Sequence, residues 1–225
     1  IDGDLLEIGV FHGKTFAIMC QALSENETAL AVDTFEMEMN VNGGRELRKF
    51  RPFFEQNIAR YFPDKSVSIH HMTSREFGQK TGDDQNNRFR MISIDGSHEA
   101  SDVFGDLVLA DRLLSDSGIV IVDDYMSLIN PGVVEGLNEY LSQERQSLVP
   151  VLAVEAGDSI YTDGGHRLFL CRADSFDYYL SIFHENHPER FMSVRIVNKY
   201  DLSILRFSGT AYKRRLFDYS RYQAA

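Results

Sequence analysis

The chain has 225 residues, of which 43% are hydrophobic and 25% are charged, as is ordinary for a folded domain. Its formal net charge of −11 argues against nucleic acid as a main partner, because phosphate backbones are bound by basic surfaces. Cys20 and Cys171 stand in apolar runs and indicate reduced core residues rather than a disulfide or zinc site. The apolar runs are too short to span a membrane, so we expect a cytoplasmic protein without a membrane partner.

The first pattern along the chain is a short apolar strand, a glycine turn and a helix at residues 4–15. Apolar residues recur after the turn at helical spacing, at Phe16, Met19, Cys20 and Leu23. Gly9 and Gly13 would let the backbone approach a ligand closely, and a helix N-terminus offers free N–H groups to an anionic group. The segment therefore predicts a nucleotide or cofactor site.

Apolar strands and helical segments then alternate along the chain. Strands are predicted at residues 28–32, 66–70, 89–94 and 118–122, and a mixed helical segment is predicted from the turn at residues 40–44 to about Phe62. Strands at residues 149–154 and 167–171 are joined by a turn region without room for a helix, which suggests an antiparallel pair. Beyond Ala173 we expect a helix at residues 176–184 and alternating runs at 192–197 and 202–207.

Four carboxylates stand where predicted strands end, namely Asp33, Asp95, Asp123 and Asp124. Continuous apolar strands alternating with helices imply a parallel sheet covered on both faces. Ligands of such sheets bind beyond the carboxyl ends of the strands. The sequence therefore predicts an active site at that edge of the sheet.

Two phosphate-binding patterns fit the opening turn incompletely. A P-loop would use the sequence Gly13-Lys14-Thr15, but its first glycine would fall at Ile8. A dinucleotide-binding turn needs a glycine where Phe11 stands, so that the pyrophosphate can approach. Both remain weaker alternatives.

S-adenosylmethionine fits the same turn better, because it has an amino-acid end and no phosphate. Glu7 would orient its ammonium group, and Thr15 would hydrogen-bond its carboxylate. Asp33 suits the ribose hydroxyls, since a carboxylate can accept two hydrogen bonds. Phe35 either borders the adenine or packs in the core.

Four segments together resemble the class I methyltransferases of the macrocin O-methyltransferase and cephalosporin-hydroxylase-like group. They are GDLLEIGVFHGKT, VDTFEM, ISIDGSHEASDVFGDLVLADRLLSDSGIVIVDDY and PGVVEGLNEYL, within residues 3–172. The resemblance implies an α/β fold, a Rossmann-like doubly wound sheet of seven strands in the order 3-2-1-4-5-7-6 with the last strand antiparallel. We expect a methyltransferase domain at residues 1–173 and a C-terminal extension of uncertain role at 174–225.

The resemblance also assigns roles at the predicted edge. Asp95, Asp123 and Asp124 match positions that hold magnesium, with Asp95 also expected beside the cofactor and in catalysis. His98 matches the catalytic base. Relatives often have glutamate at the position of Asp123, so this shorter side chain is a departure from the pattern.

Independent chemistry supports a cation here, because carboxylate oxygens suit hard cations such as Mg²⁺ or Ca²⁺. A bound cation lowers the pKa of a substrate hydroxyl, and a neutral histidine can then take its proton. A metal-free transferase and simple turn or capping roles are the alternatives. Ser74 and Arg75 match positions that contact adenine, although Ser74 could instead cap a helix.

The leading hypothesis is an S-adenosylmethionine-dependent O-methyltransferase, assisted by Mg²⁺, that methylates a hydroxyl of a small polyhydroxylated molecule such as a sugar or natural product. The competing hypothesis is a non-catalytic methyltransferase-like module of a larger protein. The sequence leaves the acceptor open, together with the question of a homo-oligomer.

Overall fold

The structure, a computed structural model, describes residues 1–41, 44–156, 166–188, 191–195 and 201–207. Its strands are β1 (Asp4–Ile8), β2 (Thr28–Asp33), β3 (Glu36–Val41), β4 (Gly44–Lys49), β5 (Ser66–His71), β6 (Phe89–Ile94), β7 (Leu114–Val122), β8 (Leu148–Ala156), β9 (His166–Arg172), β10 (Phe191–Arg195) and β11 (Asp201–Phe207). Its α-helices are α1 (Lys14–Gln21), α2 (Arg51–Tyr61), α3 (Ser74–Lys80), α4 (Ala100–Leu113), α5 (Pro131–Leu141) and α6 (Phe176–Asn186). None of the helices in these residues combines the length and apolar character needed to cross a bilayer.

Seven strands form the predicted doubly wound sheet. Their order is β5-β2-β1-β6-β7-β9-β8, which is the predicted 3-2-1-4-5-7-6 when these strands are numbered along the chain. β9 runs antiparallel to both of its neighbours, whereas the pairs from β5 to β7 are parallel. The predicted fold class is confirmed.

The chain beyond residue 173 extends this sheet. β11 pairs in parallel with the outer strand β8, and β10 pairs antiparallel with β11, so the sheet has nine strands in all. The alternating runs predicted here are thus strands, although residues 196–197 lie outside the described residues. The predicted turn at 157–165 also lies outside them.

The segment predicted as a turn followed by a mixed helix contains a hairpin instead. β3 and β4 form a separate two-stranded antiparallel sheet, and α2 begins only at Arg51, with Pro52 in its first turn. Residues 44–49 are all exposed, so no apolar face favours a helix. Cross-strand ion pairs accompany the hairpin, for example Lys49–Glu36 at 3.1 Å.

Apolar side chains alternate between the two faces of the central strands. Leu6 and Ile8 pack with the buried side of α4 and α5, while Leu5 packs with α1 and α2. Because both faces are covered, neighbouring residues of β1 are both buried, which explains its continuous apolar sequence. Cys20 and Cys171 are free and buried, in agreement with their predicted core positions.

Candidate active site

The glycine turn after β1 brings the backbone close to the end of β6. Gly9 has φ +82°, and a Cβ placed on it would lie 2.0 Å from the carbonyl oxygen of Asp95. Gly13 has φ +85° and occupies the N-cap of α1, where a Cβ would lie 2.7 Å from the ring of Phe54. Both positions therefore need glycine. The turn and the end of β6 are in direct contact.

The N-terminus of α1 and Glu7 together provide groups that fit the amino-acid end of a cofactor. Gly13 supplies no side-chain cap, so the first N–H groups of α1, including that of Thr15, have no side-chain acceptor at the cap. Glu7 is 1% exposed, and within the described part of the chain its Oε2 has no hydrogen-bond partner. Burial, followed by the negative charge of Asp95, raises the pKa of Glu7 well above its usual range. A cationic donor would satisfy this oxygen.

Asp33 connects the glycine turn to the end of β2. Its Oδ2 accepts a hydrogen bond from the Phe11 N–H at 2.9 Å, and its Oδ1 accepts one from the Phe35 N–H at 2.6 Å. Each oxygen keeps a second lone pair for a ribose hydroxyl. The Phe35 ring is 2% exposed and lies 5.4 Å from the Phe54 ring, so its side chain packs in the core.

The predicted adenine-side residues lie at the start of α3. The cap of this helix is Thr73 rather than Ser74, because the Thr73 hydroxyl accepts from the Glu76 N–H at 3.1 Å. Ser74 instead acts on the buried carboxyl of Asp106 on α4, where it partly offsets the rise that burial causes in the pKa of that carboxyl. Arg75 pairs with Asp102 at 3.4 Å. Both predicted residues thus connect α3 to α4.

Asp95, His98 and Asp124 converge at the carboxyl ends of β6 and β7. One potential ligand atom from each lies within 4.8 Å of the others. His98 Nε2 lies 2.9 Å from Asp124 Oδ2. Asp124 has φ +57°, and its Oδ2 also accepts from the Asn130 amide at 2.6 Å. These contacts fix the direction of the imidazole.

The charges at this edge shift the pKa values of all three groups. The hydrogen bond to Asp124 raises the pKa of His98, and the same bond lowers the pKa of Asp124. Burial, with the nearby charges of Asp123 and Asp124, raises the pKa of Asp95 to about 7. Asp124 is therefore an ionised carboxylate paired with His98, and it lies beside Asp95, whose carboxyl group is a weaker acid.

Asp123 lies next to this group but is held by a different partner. Its Oδ2 lies 2.9 Å from Arg167 Nη2, and its Oδ1 accepts from the Asp124 N–H at 3.0 Å. The predicted set of Asp95, Asp123 and Asp124 is therefore close together, but the convergent group contains His98 in place of Asp123. Arg167 and Asn130 are members of the site that the sequence analysis did not identify.

The residues present fit a divalent cation. Mg²⁺ is commonly held by one or two carboxylates and keeps several waters, and Asp95 and Asp124 supply two carboxylates at one point. The orphaned Glu7 oxygen and the uncapped α1 terminus likewise fit the ammonium and carboxylate of S-adenosylmethionine.

A doubly wound sheet with a glycine turn at β1 and acids at the ends of β2, β6 and β7 defines a cofactor-binding protein of the class I methyltransferase type. Residues 6–125, more than half of the chain, match a family model described as a methyltransferase domain. The chain belongs to this methyltransferase family, which confirms the predicted enzyme class, an S-adenosylmethionine-dependent methyltransferase. No curated protein matches the chain by sequence.

Solved structures share the fold at low sequence identity. The O-methyltransferase TomG from Streptomyces achromogenes, in complex with S-adenosylmethionine, is 13% identical, with a TM-score of 0.55, over 75% of this chain and 72% of that one. An O-methyltransferase from Bacillus cereus, in complex with S-adenosylhomocysteine, is 14% identical, with a TM-score of 0.53, over 75% and 74% of the two chains. The O-methyltransferase NovP is 18% identical, with a TM-score of 0.53, over 76% and 72%.

Proposed function

We propose that the protein transfers a methyl group from S-adenosylmethionine to a hydroxyl of a small polyhydroxylated molecule, with assistance from Mg²⁺. The observation that carries this proposal is the convergence of Asp95, His98 and Asp124 beside the glycine turn. The motifs that resemble the macrocin O-methyltransferase and cephalosporin-hydroxylase-like group support the same function and favour membership of that group. The net charge of −11 supports a small acceptor rather than nucleic acid.

The cofactor would lie across the glycine turn. The N–H groups at the start of α1 and the hydroxyl of Thr15 would bind its carboxylate, and Glu7 would receive its ammonium group. The free lone pairs of Asp33 would accept the ribose hydroxyls. By the resemblance, Ser74 and Arg75 would border the adenine. When bound, S-adenosylmethionine supplies an electrophilic methyl group on its sulfonium.

His98 would act as the base for the acceptor hydroxyl. The hydrogen bond from Nε2 to Asp124 at 2.9 Å places the ring proton of the neutral form on that side and leaves the lone pair on Nδ1. Nδ1 would take the hydroxyl proton, and Asp124 would stabilise the imidazolium that forms. Mg²⁺, held by Asp95 and Asp124, would lower the pKa of the coordinated hydroxyl.

The loop after β7 favours an acceptor with an apolar portion. Met126, Leu128 and Ile129 are 59%, 87% and 72% exposed, and they lie within the loop that continues from Asp124. Exposed apolar side chains beside a polar site suit a ligand that carries both kinds of surface. A natural product with a hydroxylated ring fits this description better than a bare sugar.

The test begins with calorimetry of S-adenosylhomocysteine binding to the full chain, and absence of binding would end the proposal. A mass-spectrometric screen of hydroxylated natural products, with Mg²⁺ or with EDTA, should then show a gain of one methyl group that depends on Mg²⁺. His98→Gln should lose at least about 100-fold in turnover while keeping its affinity for S-adenosylhomocysteine. Equal turnover with EDTA would remove the metal from the proposal and leave the rest standing.

A further inference from the structure

Arg167 reaches the carboxyl edge because β9 runs against the other strands. The last paired residues of β7 and β9 are Val122 and Leu168, so Asp123 directly follows the end of β7 and Arg167 is the next residue towards the start of β9. An antiparallel strand begins at the edge where the parallel strands end. The start of β9 thus places a cation among the carboxylates of β1, β6 and β7.

One carboxylate oxygen of Asp123 bonds to the neighbouring backbone, and Arg167 pairs with the other. Asp123 Oδ1 is bound to the Asp124 N–H, and Oδ2 lies 2.9 Å from the guanidinium. The Asp123 side chain is 8% exposed and that of Arg167 is 34% exposed, so this pair is shielded from water far more than the surface pairs. A cation that used Asp123 would have to displace the guanidinium from a shielded carboxylate.

Asp124 has the opposite arrangement. One of its carboxylate oxygens lies within 4.8 Å of a potential ligand atom of Asp95 and of His98. The two neighbouring aspartates therefore point to different partners, one to an arginine and the other to the convergent group. The positive charge of Arg167 also acts on Asp95 and Asp124, so it opposes a second cation beside them.

We propose that Arg167 determines which carboxylates bind the cation. By holding Asp123 in an ion pair, it confines a divalent ion to Asp95 and Asp124 and keeps the affinity of the site for that ion low. This inference rests on the proposed metal-assisted function. It assigns to Arg167 a role in selecting the ligands of the site, and to Asp123 a role as the anchor of Arg167.

The experiment measures Mn²⁺ binding to the full chain by electron paramagnetic resonance, with Mn²⁺ as the probe of the Mg²⁺ site. Arg167→Met should bind Mn²⁺ at least about 10-fold more tightly, because it frees a third carboxylate and removes a positive charge. Asp123→Asn should weaken binding in the wild-type background, because the charge of Asp123 acts on Asp95, but by less than Asp124→Asn does. The same change in the Arg167→Met background should abolish the gain. Asp124→Asn should weaken binding in both backgrounds.

Arg88→Met is the matched control. Arg88 pairs with Asp4 at the start of β1, at the opposite edge of the sheet, and its side chain is 33% exposed against 34% for Arg167. Arg88→Met changes the charge by the same amount as Arg167→Met, and its Mn²⁺ affinity should equal that of the wild type. Arg167→Lys, which keeps the charge, should bind Mn²⁺ with an affinity between those of the wild type and Arg167→Met. If Arg167→Met does not fold, Arg167→Lys and Asp123→Asn decide the question.

Equal or weaker Mn²⁺ binding by Arg167→Met would overturn the inference, as would a loss in Asp123→Asn equal to that in Asp124→Asn. Failure of all variants to bind Mn²⁺ would overturn it together with metal assistance. Calorimetry of S-adenosylhomocysteine on the same samples separates these results from a failure of the proposed methyl transfer, because Arg167 and Asp123 are not assigned to the cofactor.

Discussion

Gly9 is the residue at which the cofactor turn and the acidic edge meet. Its positive φ and its approach to the Asp95 carbonyl mean that a side chain would push the turn away from β6. We expect Gly9→Ala to lower the free energy of unfolding by at least about 2 kcal/mol, from backbone strain and overpacking. It should also abolish binding of S-adenosylhomocysteine, measured by calorimetry.

Gly105→Ala is the control for this substitution. Gly105 lies in the interior of α4, and a Cβ there would have no heavy atom within 4 Å. Alanine should stabilise the helix by about 0.5–1 kcal/mol, and ligand binding should be unchanged. Urea denaturation gives both values, and a Gly9→Ala protein as stable as the wild type would contradict the close approach.

Asp106 should make the protein less stable as the pH rises. The residue is 3% exposed, and burial raises the pKa of its carboxyl to about 6. Between about pH 4 and pH 6 the folded state therefore holds a proton that the unfolded state has lost. Asp106 alone should lower the free energy of unfolding by about 3 kcal/mol across this window, since each pKa unit corresponds to about 1.4 kcal/mol, and Asp95, whose pKa is also raised by burial, adds to the fall. Asp106→Asn should remove its own part of the fall and leave the part that Asp95 contributes.

Asp102→Asn is the comparison for the pH experiment. Asp102 lies four residues earlier on α4 but is partly exposed and pairs with Arg75. It should keep most of the fall in stability between pH 4 and pH 6. Chemical denaturation at half-unit pH steps measures all three proteins. An Asp106→Asn profile parallel to that of the wild type across the window would show that Asp106 is ionised without cost.

The candidate residues could be found from the sequence where the signal is local, but their partners could not. Asp95, Asp123 and Asp124 follow apolar strands, and the parallel sheet brings such positions to one edge. Arg167 lies 44 positions from Asp123 along the chain, and only the register of β7 and β9 joins them. Asn130 looks like a helix cap before Pro131, yet its amide binds Asp124.

At the scale of elements, the contact between α4 and α5 places His98. A Cβ on Gly132 would lie 2.3 Å from the carbonyl oxygen of His98, and one on Gly136 would lie 2.4 Å from that of Ala100. The two helices thus touch through backbone at the start of α4. The position of the imidazole relative to Asp124 depends on this contact.

Gly136→Ala should therefore disturb His98 from a distance. We expect the helices to separate, with a loss of about 1–3 kcal/mol in the free energy of unfolding. The bond from His98 to Asp124 should weaken, and the pKa of His98 should fall towards its ordinary value. NMR titration of the imidazole measures this shift. Asn138→Ala, on the exposed side of α5, should leave the titration unchanged.

The hairpin of β3 and β4 shows the limit of pattern analysis for an exposed element. Buried strands were found from their continuous apolar runs, because a sheet covered on both faces leaves no other pattern. Residues 44–49 are exposed throughout, so no face of β4 is marked by apolar residues. Cross-strand pairs such as Lys49–Glu36 accompany the hairpin, and they depend on a register that the sequence alone does not reveal.

At the scale of the whole molecule, the proposed cofactor site lies over the middle of the sheet. β1 has β2 on one side and β6 on the other, and the proposed site takes Glu7 from β1 and Asp33 from the end of β2 for the cofactor, with the metal ligand Asp95 following β6. A ligand that binds there is held by the part of the fold with the most buried strands. Binding should therefore be linked to unfolding of the whole sheet rather than of one segment.

S-adenosylhomocysteine at 100 times its dissociation constant should raise the free energy of unfolding by about 2.7 kcal/mol. For a chain of this size, that corresponds to an increase of about 5–10 °C in Tm, measured by differential scanning calorimetry. Asp33→Ala should lose most of this increase relative to its own ligand-free Tm, because it removes the carboxylate assigned to the ribose hydroxyls and the bond from the Phe11 N–H of the turn to that carboxylate. Asp64→Ala, in an exposed turn, should keep it. An equal increase in the Asp33 and Asp64 variants would place the ligand away from β2 and would contradict the proposed cofactor site.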